Sequence, residues 1–109
     1  MSSEAKSSKT ERIRWTGDAA AAARAITEHF KREGWSSGWY IGADYYGIRA
    51  LDAEGGRDIQ VRVRLPVNKG LQGLLRPSRD CHIRLRVTAP EESVDALLST
   101  LRQLLAGVR

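Results

Sequence analysis

The chain has 109 residues, a net charge of +5, a pI near 9.9 and one cysteine, Cys81. That length suits one domain with a modest core, and no apolar run approaches the roughly 18 residues that cross a bilayer. A single cysteine excludes an internal disulfide, and with only two histidines the chain lacks the set for a dedicated cysteine–histidine metal centre.

Residues 1–10 are rich in serine and lysine and lack the apolar stretch of a secretory leader. They are expected to form a disordered tail ahead of one domain over 11–109, which with the lone cysteine fits a cytoplasmic protein. Glu11-Arg12-Ile13-Arg14-Trp15 alternates and suggests a short first strand. Thr16 or Asp18 is placed to cap a helix over 19–33, with Ala22, Ile26 and Phe30 along its apolar stripe. Gly34 is placed to end that helix in the left-handed conformation.

Aromatic residues and glycines then crowd together. Two strands are expected over 38–41 and 45–51, with a tight turn at Gly42-Ala43-Asp44. Trp15, Trp35 and Trp39 are assigned to the core or its rim, whereas Tyr45 and Tyr46, as strand neighbours, cannot both face inward. Glu54-Gly55-Gly56 marks the next hairpin turn, followed by a strand over 58–65. The connection 66–81 exceeds ordinary hairpin length and carries Lys69, Arg76 and Arg79. A further strand over 82–88 leads to Thr88-Ala89-Pro90-Glu91, which has capping-box spacing. A final helix over 90–106 lines up Val94, Leu97, Leu98, Leu101, Leu104 and Leu105. The expected fold is α+β: an antiparallel sheet of four to five strands with two helices on one face, in the order β-α-β-β-β-β-α.

Two segments repeat one design: Gln60-Val61-Arg62-Val63-Arg64-Leu65 and His82-Ile83-Arg84-Leu85-Arg86-Val87. Their period-two alternation buries the aliphatic residues and leaves the arginines, with His82, on the face the helices do not cover. The same alternation adds Tyr45 and Arg49, while Arg12 and Arg109 are assigned no part in this face. Like charges opposite one another on a sheet repel, so an arginine face is a cost that an anionic partner would offset. The charge is also local: between Arg62 and Arg86 seven basic residues face one acid, Asp80. A concentrated basic patch is the electrostatic footprint of a nucleic-acid binder.

The candidate nucleic-acid-binding residues are therefore Arg49, Arg62, Arg64, Lys69, Arg76, Arg79, Arg84, Arg86 and Tyr45. Arginine forks grip phosphates, and a ring beside them offers a surface for base stacking. An acidic protein would fit the same arginines, and a solvated arginine face with no partner is the plain alternative. No membrane partner is expected. Cys81 and His82, adjacent on a strand, point to opposite faces and form no catalytic dyad, and Cys81 is assigned to the core as a small apolar side chain. Asp44, Asp52, Glu54, Asp58 and Asp80 read as acceptors in turns. No glycine-rich phosphate loop or dinucleotide fingerprint occurs, so a non-enzymatic protein without cofactor or metal is expected.

Over residues 74–105 the chain resembles the end of the C-terminal domain of the phosphohexomutases, the phosphoglucomutase and phosphomannomutase family. Arg76-Pro77-Ser78 precedes Ile83-Arg84-Leu85-Arg86-Val87 and a leucine-rich last helix, as that family's Arg-Pro-Ser loop precedes a strand and a final helix. The resemblance implies a β-α-β-β-β-β-α layout and a phosphate-ligand role for Arg76 and Ser78. It implies no mutase activity, because Arg79-Asp80-Cys81-His82 stands where the family continues toward Thr-Glu-Pro and its other domains are absent.

Overall fold

The computed structural model of the protein describes residues 6–42, 45–64 and 80–108. Within them the chain forms β1 (Lys6–Thr16), α1 (Ala19–Arg32), β2 (Ser36–Ile41), β3 (Tyr45–Asp52), β4 (Arg57–Arg64), β5 (Asp80–Pro90) and α2 (Glu91–Ala106). The strands make one open five-stranded sheet, ordered β1-β5-β4-β3-β2, and every neighbouring pair is antiparallel. The fold class is the α+β arrangement that the patterning anticipates.

Period-two alternation sets the two faces. Ile59, Val61 and Val63 on β4 and Ile83, Leu85 and Val87 on β5 point to the helix side and are buried. Onto them pack Ile26 and Phe30 of α1 and Val94, Leu97, Leu98, Leu101 and Leu105 of α2. β1 and β2 lie at opposite edges, so the connection through α1 carries the chain from one edge to the other across the inner face.

Both ends of α1 are satisfied locally. The Asp18 carboxylate accepts from the Ala20 amide at 3.0 Å, which leaves Thr16 in β1 rather than at the cap. At the other end Gly34 adopts φ +85°, a conformation an L side chain resists. There the Gly34 amide donates to the Lys31 carbonyl and the Trp35 amide to the Phe30 carbonyl, at 3.0 and 2.9 Å. The Trp35 and Phe30 rings sit 4.7 Å apart, supplying the apolar contact of a Schellman motif.

Three features differ from expectation. Lys6–Thr10, assigned to a tail, extend β1 by pairing with Arg86–Pro90 of β5. Long-range partners hold this polar stretch: the Ser8 and Thr88 hydroxyls lie 3.1 Å apart, and Lys9 meets Asp95 of α2 at 2.8 Å. Thr88 consequently remains in β5 and caps nothing; Pro90 occupies the N-cap of α2 without a side-chain bond, while Glu91 and Glu92 face the helix dipole. Trp39, assigned to the core or its rim, is 40% exposed, because its strand β2 is the sheet edge. The side chain of Cys81 and the connection over 65–79 lie outside the described residues.

α2 is tied to β1 by the buried indole of Trp15, which donates to the Leu105 carbonyl at 3.1 Å. Arg102 also donates to both Glu11 oxygens, at 2.8 and 2.7 Å. Those bonds hold the Glu11 carboxyl below its ordinary pKa against the opposing effect of burial. Arg57 lowers Asp52, and Lys9 lowers Asp95, in the same way. A carboxylate depressed in the folded state stabilises the fold above its unfolded pKa, and that contribution disappears as pH falls through the folded value. Stability should therefore decline below about pH 5, and Glu11→Gln should flatten part of the decline. Denaturant titrations across acidic pH check this, and an undiminished acid dependence in Glu11→Gln would mean that the Glu11–Arg102 pair does not contribute.

Candidate nucleic-acid interface

Strand register lines up the side chains of the outer face in rows that cross the sheet. One row runs Arg12, Arg84, Arg62, Gly47 and Tyr40 from β1 to β2. On one side of it lies the row Arg14, His82, Arg64 and Tyr45. On the other lies Thr10, Arg86, Gln60, Arg49 and Gly38. Successive rows are two residues apart along each strand, or about 7 Å. The seven arginines of these rows are all exposed.

Two hollows lie between the rows. The larger, about 530 Å³, is lined by Arg12, Tyr45, Arg62, Arg64, His82 and Arg84. The smaller, about 280 Å³, is bounded by Tyr40, Arg49, Gln60, Arg62, Arg84 and Arg86. Arg62 and Arg84 border both. The Arg62 guanidinium carbon lies 4.6 Å from the centre of the Tyr45 ring, a cation–π contact that orders its long side chain.

Among the described residues most ion-paired acids lie away from this face. Among the described residues the ion pairs Lys9–Asp95, Arg102–Glu11 and Arg57–Asp52 lie on the helix side of the sheet. Asp58 is the exception, reaching Arg49 of the outer face at 3.2 Å. No ion pair with a carboxylate engages Arg12, Arg62, Arg84 or Arg86 among the described residues. Such one-sided charge concentrates positive potential over the open face.

The sheet brings together six of the sequence-derived candidates: Arg49, Arg62, Arg64, Arg84, Arg86 and Tyr45. Lys69, Arg76 and Arg79, with the Arg76-Pro77-Ser78 segment, lie outside the described residues. The structure adds Arg12, Arg14 and Tyr40. Alternation around Ile13 and Trp15 already put both arginines on one side of β1, but only its pairing with β5 brings Arg12 beside Arg84 and Arg14 beside His82. Tyr40 joins because it crosses the register position of Gly47, where a Cβ would collide with its ring.

Among the described residues no group of histidine, cysteine or acidic side chains is arranged to hold a metal ion, and no helix is long and apolar enough to cross a membrane. No known family model matches this chain, and no curated protein matches it.

Proposed function

We propose that the outer face of the sheet is a non-enzymatic nucleic-acid-binding surface. The observation that carries this reading is the in-register row Arg12–Arg84–Arg62, flanked by further arginines. Directly opposed like charges on a sheet are destabilising, and a polyanion that neutralises several of them together offsets that cost. The spacing supports phosphate contacts on successive rows, and arginine suits them because its fork donates two parallel hydrogen bonds. Lys69, Arg76 and Arg79, between β4 and β5, add to the positive charge of the sequence.

The test is a ¹⁵N NMR titration with mixed-sequence oligonucleotides at low salt. Resonances of β4 and β5 around Arg62, Arg84 and Arg86, with Tyr45, should shift, while those on the exposed side of α2 stay in place. An unperturbed spectrum with single-stranded and duplex DNA and RNA would overturn the reading and leave an acidic protein as the partner of the same arginines.

A further inference from the structure

Resting on that reading, we infer that the ligand of this face is a single strand whose bases stack at the β2–β3 flank, with Tyr40 as the principal platform. Tyr40 is 52% exposed, and its ring takes the space over Gly47 that any other residue's Cβ would fill. The ring therefore lies across the sheet beside the arginines. Tyr45 stands edge-on to it at 6.0 Å between ring centres and carries the Arg62 guanidinium on its own ring. Tyr40 thus offers an open ring face, and the perpendicular Tyr45 ring with the Arg62 guanidinium on it borders that platform. Bases stack on both kinds of group with little regard to sequence.

The layout separates the two halves of a nucleotide. Six of the seven outer-face arginines lie on β1, β5 and β4, the seventh being Arg49 of β3, which meets Asp58, while the tyrosines occupy β3 and β2. From β4 to β2 is two strand spacings, about 10 Å, enough to carry a chain's phosphates on one side and its bases on the other. The row repeat of about 7 Å is close to one sugar–phosphate repeat of an extended strand. A duplex would use this face differently. Its phosphates would meet the arginines, but its bases are paired and stacked inside, beyond the reach of a ring lying flush with a sheet. Tyr40 would then contribute nothing to affinity.

The test compares a labelled mixed-sequence DNA strand of about 15 nucleotides, within the range of known single-strand sites, with a hairpin duplex of the same sequence, by fluorescence anisotropy at low salt. The single strand should bind more tightly. Tyr40→Ala should weaken single-strand binding about 5- to 150-fold, the usual worth of one stacked base, and leave duplex binding unchanged. Tyr40→Phe, which keeps the ring, should bind as the wild type does. Circular dichroism of each variant checks that the sheet persists. Equal or tighter duplex binding would overturn the single-strand assignment, as would a Tyr40→Ala variant that loses both ligands equally or neither. Those outcomes leave the basic-face reading standing. Wild-type protein that binds neither ligand, made as DNA or as RNA, or binding indifferent to neutralisation of Arg62 and Arg84, removes the basic-face reading and this inference with it.

Discussion

Truncation of Leu101 to alanine is expected to destabilise the protein by about 2–5 kcal/mol, the range for a core leucine whose cavity cannot fully collapse. Leu101 is fully buried at the middle of α2, between Leu97, Leu98 and Leu105 and above the aliphatic side chains of β5. Domains of this size hold roughly 5–15 kcal/mol of stability in all, so the loss should be plain in a urea transition. The neighbouring exposed Gln103 is the control: Gln103→Ala should fall within about 0.5 kcal/mol of wild type. A loss below about 1 kcal/mol for Leu101→Ala would mean that α2 is not docked on the sheet as described.

The double variant Arg62→Gln, Arg84→Gln should separate binding from stability. Arg84 stands between Arg12 and Arg62 in register, so neutralising two members of the row relieves like-charge opposition. Neither side chain contributes to the core, and the variant should be as stable as wild type or slightly more so. Affinity should move the other way. Each lost phosphate contact removes about 0.7–0.9 of a logarithmic unit per tenfold change in salt. One to two lost contacts then weaken binding roughly five- to sixtyfold at about 0.1 M salt, relative to 1 M. A variant that is markedly destabilised would show that these arginines serve the fold instead.

Much of the fold was legible because the decisive patterns are local. The aliphatic–arginine alternation in β4 and β5 and the leucine stripe of α2 each state which side is buried, and all eight side chains at Ile26, Phe30, Val61, Val63, Ile83, Leu85, Leu97 and Leu101 are in the core. What local pattern does not hold is pairing between distant segments. Lys6–Thr10 are too polar to suggest a strand, and they become one because β5, some eighty residues away, offers backbone partners and Asp95 a counter-charge. The same pairing carries Arg12 and Arg14 into the basic face. Thr88 has capping-box spacing but sits opposite Ser8 in the sheet, and strand pairing prevails over the cap. Tyr40 was hidden for a related reason: in sequence it is one of a crowd of rings, and only the register with Gly47 lays it beside the arginines.

If the outer face grips a polyanion through phosphate neutralisation, oligonucleotide affinity must depend on salt. Anisotropy titrations of wild type and of the Arg62→Gln, Arg84→Gln variant, at several salt concentrations, give two log–log slopes. The wild type should lose affinity steeply as salt rises, and the variant's slope should be shallower by roughly one to two units. Identical slopes in two folded proteins, or no wild-type binding at the lowest salt, would show that these arginines do not neutralise phosphates.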